Sequence, residues 1–493
     1  MTEELLHTAR SAAANSQALN DPDFPLFHLA PPVGRLNDPN GLIEVEGTYH
    51  AFFQYTPTHP QKLVFWGHAT STDLTSWEHH DPAIAPDSRF DMHGAYSGTA
   101  IATPQGVELW YTGNYKDPDT GQREATQCLV TTPDLTHFTK EATPVIPAPP
   151  EGYTAHFRDP QVWQDHDSSY RMLIGAQRAD GTGAAVLYRS LDLRQWELEG
   201  EISFPHAGGA FDSFGYMWEC PNLVKLVDQE TGALRDVLLF CPQGIRPQAP
   251  GFENVFACVY LVGELVGTQF VGCDGTFTEL DRGFEFYAPQ VFARSLSQLP
   301  TGDSPAPAVL LGWAGNAGED DQPSIASGGW VHCMTSPREL VLRGGRLYQR
   351  PFLPGLPLRA ADWGGTTLQP GAPFSVPELA GSRSWRLRLE VGASAPWRIH
   401  LGGEQGVSLR FDGATLVADR SSSRYPAGSP RTVELAAAPH AVEVIHDRSI
   451  TEVFVDDGRT VFTLRSFLDA TPGVRVDCEG DLALRAAQVA RAD

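Results

Sequence analysis

Asp38 and Asp159 each stand immediately before a proline, in segments that also carry amide or basic side chains. Asp38 lies in the sequence RLNDPNG, and Asp159 lies in the sequence HFRDP. Because proline fixes its own φ and pushes the preceding residue away from helical geometry, we expect each carboxylate on a rigid turn. Hydrogen bonds from Asn37 and the charge of Arg158 favour the ionised form. Each acid is a candidate for a carboxylate that stays anionic, with an ordinary turn or a structural salt bridge as the alternative.

A third acid, Glu219, lies between Trp218 and Cys220 in the sequence YMWECPN. Apolar surroundings raise the pKa of a carboxylic acid towards that of a proton donor at neutral pH, although burial beside an aromatic residue also arises by chance. Glycoside hydrolysis needs one carboxylate that attacks an anomeric carbon and one carboxylic acid that protonates the leaving oxygen. The three acids together indicate this chemistry, which requires neither a metal nor an organic cofactor.

Other side chains of the sequence suit a sugar-binding site. Aromatic faces pack against sugar C–H groups, and amides and hydroxyls bind sugar hydroxyls. The aromatic candidates are Trp66, Tyr96, Trp218 and Trp313, and the polar candidates are Gln54 and Ser97. The sequence has no phosphate-binding loop, dinucleotide-binding glycine motif, HExxH or GxSxG motif, so the corresponding enzyme classes lack their strongest signals.

Size and charge narrow the class of protein further. The chain has 493 residues with 41% hydrophobic content and a formal net charge of −24. This length points to at least two folded domains. The negative charge disfavours binding to nucleic acid and to anionic membrane surfaces. A small sugar is the expected partner.

Short β-branched and aromatic runs separated by glycine and proline turns dominate the chain, so the predicted fold class is all-β. A helix is predicted only near the start, over residues 3–19. The pattern S/T-x-D-L-x-x-W/F begins at Ser71, Thr132 and Ser190, at intervals of 61 and 58 residues. Its aspartate is expected to bond backbone amides of a turn and its aromatic to fill the space between neighbouring sheets. Units of about 60 residues suggest the blades of a five-bladed β-propeller, with three coincidental turns as the alternative.

The predicted domain organisation has four parts. Residues 1–21 form a helical lead, and residues 22–350 form the propeller. Residues 351–369 are rich in Pro, Gly and Leu and are expected to be a linker with little structure of its own. Residues 370–493 alternate in hydrophobicity with period two, which is typical of a β-sandwich.

At these motifs the sequence resembles glycoside hydrolase family 32, the β-fructofuranosidases that include invertase, sucrose-6-phosphate hydrolase, levanase and inulinase. The resemblance runs from His28 to Phe462 and is carried by NDPNG, FQY, WGHA, YSGT, RDP, WECP, GW and PREL, with IHDRS and EVF near the C-terminus. It implies a five-bladed propeller with the site at its axial mouth, followed by a β-sandwich. Tyr96 and Thr99 depart from the Phe and Ser of many members, which leaves the implied activity intact but blurs the substrate.

The resemblance also implies a role for each matched residue. Asp38 would be the nucleophile, Glu219 the general acid/base, and Asp159 the stabiliser that binds fructosyl hydroxyls. Arg158 and Cys220 would tune these acids. The implied lining of the fructose subsite consists of Asn37, Gln54, Trp66, Tyr96, Ser97 and Trp313.

The expected reaction is a retaining double displacement at C2 of a terminal β-fructofuranosyl unit, with the two carboxyl groups about 5 to 5.5 Å apart. The segments HFRDP and GYMWECP look most like the intracellular hydrolases of sucrose and sucrose 6-phosphate. A 6-phosphate would need a cation near the leaving-group subsite, for which His59, Lys62 and Arg246 are candidates. Levanase, inulinase and fructosyltransferase activities stay open, as do a fructan-binding protein and an inverting arabinanase-type hydrolase.

The sequence also bears on cell compartment and assembly. Glu3 and Glu4 occupy the region where a secretory signal carries positive charge, and no continuous apolar segment follows. The seven cysteines form no CxxC pair, and no N-glycosylation sequon is present. These features predict a cytoplasmic protein, although a chain trimmed of its export signal would look the same. Either a monomer or a homodimer is compatible with the sequence.

Overall fold

A computed structural model describes residues 2–246, 253–254, 256–293, 307–392, 395–469 and 473–493. Within these ranges the chain forms seven β-sheets, which confirms the all-β prediction. Five sheets follow one another along the chain, and the other two come after them. No helix of the described residues is long and apolar enough to cross a membrane.

The first five sheets are the blades of a propeller. Blade 1 contains Gly34–Val45, Thr48–Thr56, Phe65–Ser71, Glu78–Ile84 and Trp330–Val331. Blade 2 contains Ala95–Thr103, Gly106–Lys116, Arg123–Thr132 and Thr139–Lys140. Blade 3 contains Tyr153–Gln164, Tyr170–Arg178, Gly183–Ser190 and Glu197–Glu201. Blade 4 contains Met217–Val227, Leu234–Gln243, Val259–Val266, Gln269–Val271 and Thr278–Glu279, and blade 5 contains Tyr287–Val291, Ala308–Ala314, Cys333–Met334, Arg338–Arg343 and Arg346–Pro351.

The blades close into a ring. The first strand of each of blades 1 to 4 contacts the first strand of the next blade. The first strand of blade 5 contacts the first strand of blade 1. The short strand Trp330–Val331 leaves blade 5 and pairs in parallel with Gly34 and Arg35 of blade 1. These contacts confirm the predicted five-bladed propeller.

Each innermost strand carries a β-bulge in the part of the strand that holds the candidate site residues. The register breaks fall between Leu36 and Pro39, Tyr96 and Gly98, Arg158 and Gln161, Glu219 and Asn222, and Tyr287 and Gln290. At three bulges a residue adopts a left-handed φ: 66° at Asp159, 48° at Cys220 and 47° at Ala288. Because a bulge re-aims the side chains of its strand, the five bulges turn neighbouring residues towards a common region.

The three repeated turns act between blades as the sequence predicts. Asp73, Asp134 and Asp192 each accept hydrogen bonds from two backbone amides of their own turn. The aromatic residue that ends the second turn, Phe138, packs edge-on against Phe52 of blade 1 with ring centroids 6.0 Å apart. The aromatic residue that ends the third turn, Trp196, packs edge-on against blade 2. The turns therefore fix both the blade edges and the spaces between blades.

The N-terminal helix is shorter than predicted, because it spans Thr2–Ala14 rather than residues 3–19. The side chain of Asn15 bonds the carbonyl of Ser11 and that of Ser16 accepts from the amide of Ala18, which competes with continued helical bonding. A 3-10 turn follows at Ala18–Asn20.

The last two sheets pack face to face as a β-sandwich, which confirms the second half of the fold prediction. One sheet contains Arg359–Ala360, Thr367–Leu368, Ser384–Val391, Ala441–Asp447, Ile450–Val455, Thr460–Arg465 and Leu482–Arg491. The other contains Phe374–Ser375, Trp397–Gly402, Gly406–Phe411, Thr415–Asp419, Arg431–Glu434 and Val474–Cys478. The segment expected to be an unstructured linker supplies the first two strands, because both pair with Leu482–Arg491. Two further helical segments lie at Pro323–Gly328 and Pro377–Leu379.

The propeller and the sandwich meet through a buried network of charges. His28 bonds the carboxylate of Asp447 through Nδ1 at 2.9 Å and that of Glu452 through Nε2 at 3.0 Å. Arg338 donates to Glu452 at 2.6 Å and to Asp281 at 3.1 Å. The backbone amides of residues 26–28 also donate to Asp447, so the N-terminal segment is clasped to the sandwich.

Candidate active site

The bulged inner strands bring the candidate residues of four blades together. Asp38 comes from blade 1, Ser97 from blade 2, Asp159 from blade 3 and Glu219 from blade 4. Hydrogen bonds connect them across the blades, so residues far apart in sequence form one polar cluster. We describe each acid in turn, because their partners differ.

The carboxylate of Asp38 is surrounded by neutral donors. Its Oδ2 accepts from the hydroxyl of Ser97 at 2.6 Å and from Nε2 of Gln54 at 3.1 Å, and its Oδ1 accepts from Nδ2 of Asn37 at 3.1 Å. Gln54 is itself fixed by Nδ2 of Asn37, which donates to its Oε1 at 2.8 Å. The carboxylate is thereby oriented by a rigid set of amides and one hydroxyl, without an ion pair in the described residues.

Asp159 lies between the other two acids. Its Oδ2 accepts from the backbone amide of Cys220 at 2.9 Å, and its own amide donates to the hydroxyl of Thr112 at 3.0 Å. These two bonds hold the left-handed backbone at this residue. The thiol of Cys220 is 3.6 Å from Oδ2 of Asp159 and 3.8 Å from Oδ2 of Asp38, so it lies between their carboxylates.

Glu219 has the densest set of donors. Arg158 donates to its Oε1 through Nε at 3.0 Å and through Nη2 at 2.6 Å. Its Oε2 accepts from Nε2 of Gln243 at 2.5 Å and from the hydroxyl of Tyr287 at 2.6 Å. The expectation of apolar surroundings for Glu219 is therefore wrong. Successive side chains of a strand point to opposite faces, and Trp218 packs away from the cluster against Phe240 with ring centroids 4.4 Å apart.

The crowding of acids shifts their proton affinities. Burial raises the pKa of Asp159 to about 7, because the neighbouring Arg158 offsets only part of it while Glu219 and Asp38 add to it. Burial also raises the pKa of Asp38, against the hydrogen bonds from Ser97 and Asn37. Among the described residues, Arg158 forms an ion pair with Glu219, whereas Asp38 and Asp159 have no cation within salt-bridge distance.

The aromatic candidates occupy different depths. Tyr96 is half-buried, whereas Trp66 and Trp218 are fully buried and Trp313 is almost so. The indole of Trp66 donates to the carbonyl of Tyr96 at 3.0 Å, so Trp66 supports the wall from behind instead of lining it. Trp313 packs edge-on against Tyr287 with ring centroids 6.2 Å apart. Of the predicted lining, Trp66 and Trp218 are therefore structural in this conformation.

Sequence reasoning missed Tyr287 and Gln243, which both contact Glu219. Gln243 lies at the end of the strand that pairs with the strand of Glu219, a placement that no local pattern reveals. Tyr287 has a signal that could have been used. Like Asp38, Asp159 and Glu219, it stands one or two residues before a proline.

Of the three candidate groups for binding a phosphate, His59 lies beside an ion pair. Arg35 donates to Asp320 at 2.8 Å, and Nε2 of His59 is 3.7 Å from the same oxygen. Lys62 and Arg246 are exposed. In the described part of the chain, no group of three or more His, Cys, Asp or Glu side chains is arranged to hold a metal ion.

The chain matches known proteins over nearly its whole length. The family model for the N-terminal domain of glycosyl hydrolases family 32 matches residues 28–351, and the family model for the C-terminal region of that family matches residues 365–485. A sucrose-6-phosphate hydrolase of Bacillus subtilis is 37% identical, over 91% of this chain and 90% of its own length. The chain belongs to glycoside hydrolase family 32, which confirms the family predicted from its motifs.

Solved structures agree with this assignment. The structure of a sucrose-6-phosphate hydrolase from Lactobacillus gasseri has a TM-score of 0.80 and 30% identity, covering 99% of this chain and 96% of its own. A mutant family 32 β-fructofuranosidase of Bombyx mori in complex with sucrose has a TM-score of 0.79 and 28% identity, covering 99% and 97% of the two chains. Both propeller and sandwich are therefore shared with these proteins.

Proposed function

We propose that the protein is a retaining β-fructofuranosidase that releases terminal fructose from sucrose, sucrose 6-phosphate and short fructo-oligosaccharides. The observation that carries the proposal is the contrast between two carboxylates on the innermost strands of blades 1 and 4. Asp38 is oriented by uncharged donors, whereas Glu219 is held by a guanidinium, an amide and a phenol. A retaining glycosidase needs this division between a nucleophile and an acid/base.

In the first step Asp38 attacks C2 of the fructosyl unit while the proton of Glu219 moves to the glycosidic oxygen. The bond between C2 and the leaving sugar breaks, and a fructosyl ester of Asp38 forms. Glu219 then accepts a proton from water, which attacks C2 and releases Asp38. Ser97, Gln54 and Asn37 support the nucleophile, because each donates to its carboxylate or to that donor network.

Asp159 is the proposed stabiliser of the fructosyl unit. It lies beside both reacting acids through Cys220, whose amide and thiol approach its Oδ2. A carboxylate there accepts hydrogen bonds from sugar hydroxyls and opposes the positive charge that develops at C2. Arg158 holds Glu219 in reach of the leaving oxygen, and Tyr96 and Trp313 provide apolar surface.

We infer the substrate range from the relatives and from the charged residues near the proposed site. Sucrose-6-phosphate hydrolases of 37% and 38% identity favour sucrose and its 6-phosphate. The guanidinium of Arg35 lies 5.5 Å from the ring centroid of Trp313, which supports a cation close to the proposed sugar site. Levan and inulin hydrolysis, and fructosyl transfer to a sugar, use the same first step and differ in the acceptor or chain length.

The test is a comparison of sucrose, sucrose 6-phosphate, kestose, inulin and levan, with free fructose and glucose measured separately. Fastest release from sucrose or its phosphate is expected, and an excess of glucose over fructose would reveal transfer. Reaction in methanol distinguishes the stereochemistry, since retention yields methyl β-fructofuranoside. The α-anomer would contradict the mechanism in favour of an inverting hydrolase, and no product from any sugar would leave a binding protein.

We also propose the division of the chain into a lead of residues 1–21, a catalytic propeller of residues 22–350, a connection of residues 351–369 and a sandwich of residues 370–493. The end of the last propeller strand at Pro351 supports the end of the propeller, whereas the strands Arg359–Ala360 and Thr367–Leu368 lie inside the proposed connection and pair with the sandwich. The enzyme is proposed to act in the cytoplasm as a monomer or homodimer. Limited proteolysis and light scattering test the boundaries and the oligomeric state.

A further inference from the structure

Among the described residues, every group that forms a hydrogen bond with the carboxylate of Glu219 donates to it. Arg158 occupies Oε1 with two N–H groups, at 3.0 and 2.6 Å. Oε2 accepts from the amide of Gln243 at 2.5 Å and from the phenol of Tyr287 at 2.6 Å. Such a set suits a carboxylate, yet the proposed first step requires Glu219 to carry a proton.

The four donors are not equivalent when that proton is added. Guanidinium and amide N–H groups have no lone pair to offer, whereas a phenol both donates and accepts. The oxygen that faces Arg158 therefore cannot direct a proton at its partner. Of the groups around Glu219, only the Tyr287 hydroxyl can turn to accept a hydrogen bond without any heavy atom moving.

We propose that Tyr287 is the positioning residue of the general acid and keeps its proton on Oε2. This inference rests on the proposed function. The Tyr287 oxygen accepts from Oε2–H while Glu219 is an acid. As the proton passes to the glycosidic oxygen, the phenol turns and donates a hydrogen bond to the new carboxylate. The proton of Glu219 is therefore the only proton that is transferred in this step.

The ring of Tyr287 is fixed independently of its hydroxyl. It packs edge-on against Trp313 with centroids 6.2 Å apart and against Phe256 with centroids 6.0 Å apart. Removal of the hydroxyl alone should therefore leave the ring in place. Tyr287→Phe isolates the hydrogen bond from the packing.

Other titratable groups that face Glu219 stay unchanged in that variant. They belong to three blades and are Asp38, His156, Arg158, Asp159, Tyr216, Cys220 and Cys241. Since all of them are present in both proteins, a change in the pH profile reports the lost phenol.

The experiment compares kcat and kcat/KM of Tyr287→Phe and the wild type between pH 4.5 and 9. The substrates are sucrose and p-nitrophenyl β-fructofuranoside, whose leaving group needs little protonation. We expect kcat on sucrose to fall about 10- to 100-fold and kcat on the aryl fructoside to fall less than about threefold. The alkaline limb should move by less than in a variant that loses a donor alone, because removal of the phenol takes an acceptor from the acid form and a donor from the ionised form.

Two further variants sharpen the result. Tyr55→Phe removes another buried phenol, which has no hydrogen-bond partner in the described structure, and should leave both the rates and the pH profile unchanged. Gln243→Leu removes a donor that cannot accept. It should move the alkaline limb upwards by about 0.5 to 1 unit, because only the ionised acid loses a bond, and it should slow sucrose and the aryl fructoside by the same factor to within about threefold.

Equal losses of Tyr287→Phe on both substrates, with the alkaline limb moved as far upwards as in Gln243→Leu, would show that the phenol is only a donor and would overturn the proposal. If Tyr287→Phe does not fold, Gln243→Leu decides: a loss on sucrose that exceeds the loss on the aryl fructoside by more than about tenfold overturns the proposal, and equal losses with a limb shifted upwards support it. A wild type that releases no fructose from either substrate would instead refute the proposed function.

Discussion

The chain buries two groups of acids, one at the candidate site and one between propeller and sandwich. At the interface, burial is outweighed by His28 and Arg338, so the pKa values of Asp447 and Glu452 both fall to about 2. The pKa of His28 rises to about 9, because its bonds to the two acids outweigh the effect of burial. At the site, burial prevails and raises the pKa of Asp159 to about 7.

The two groups of acids differ in the partners of their carboxylates and not in how deeply the carboxylates are buried. Asp447 accepts from His28 and three backbone amides, and Glu452 accepts from Arg338, His28 and one backbone amide, so both charges are neutralised. Burial still raises the pKa of the third interface acid, Asp281. At the site, among the described residues, one guanidinium pairs with the acids, and the other donors to their carboxylates are neutral. Buried acids with satisfied charges support the fold, whereas an unneutralised group is available for chemistry at a cost to stability.

The largest expected effect is on activity at the site. Asp38→Asn keeps the shape and hydrogen-bonding size of the side chain but removes the nucleophile, so kcat should fall by about 10⁴-fold or more. The melting temperature should stay equal or rise, because one unneutralised charge is gone. Asp192→Asn, in an exposed turn, is the control and should keep full activity. A strongly destabilised Asp38→Asn would contradict the comparison.

The interface should respond in the opposite way. Arg338→Met leaves Asp281 and Glu452 buried without their shared cation, which costs about 3 to 5 kcal/mol. For a chain of this length the melting temperature should fall by about 3 to 5 °C, with kcat of the folded enzyme retained. Scanning calorimetry measures the change. Arg189→Met breaks an exposed ion pair with Asp167 and should have almost no effect.

The interface should also have its own pH dependence. A histidine whose folded pKa is about 9, against 6.5 when unfolded, stabilises the fold fully below pH 6.5 and loses this contribution as the pH rises through 9. The contribution is of the order of 3 kcal/mol. The melting temperature of the wild type should therefore fall between pH 6.5 and 9.5. In His28→Gln that fall should be absent, and an identical slope in both proteins would contradict the assignment.

The site should show the reverse sign. The folded pKa of Asp159, about 7, exceeds its unfolded value of 3.8, so its ionisation destabilises the fold above pH 3.8, increasingly up to pH 7. Asp159→Asn should melt within about 1 °C of the wild type at pH 4 and about 2 °C higher at pH 8. Paired melting curves at the two pH values measure this difference. A variant that is less stable at pH 8 would remove the contrast between the two groups.

Local patterns predicted much of this molecule. The repeated turns at Asp73, Asp134 and Asp192 predicted the blades, because each turn is complete within seven residues. The acids before prolines predicted the site for the same reason. The charged interface was not predicted, since Arg338 and Glu452 are 114 residues apart and neither has a local signature.

Side-chain direction was also beyond the sequence. Trp66 and Glu219 were assigned surroundings from their neighbours in the chain, but strand alternation and the bulges decide which way each points. The bulges depend on pairing with the next strand, which is a tertiary property. Tyr287 was missed because it is neither an acid nor part of a recognised motif.

The clasp between residues 26–28 and Asp447 has a consequence for biosynthesis. Phe27 and its partner are separated by 420 residues, so the ribosome delivers one about 20 to 80 s after the other at 5 to 20 residues per second. During that interval the newly made N-terminal segment has no partner for its amides. The segment of residues 26–28 is therefore secured only after Asp447 has been translated, so a late part of the chain fixes one of the earliest.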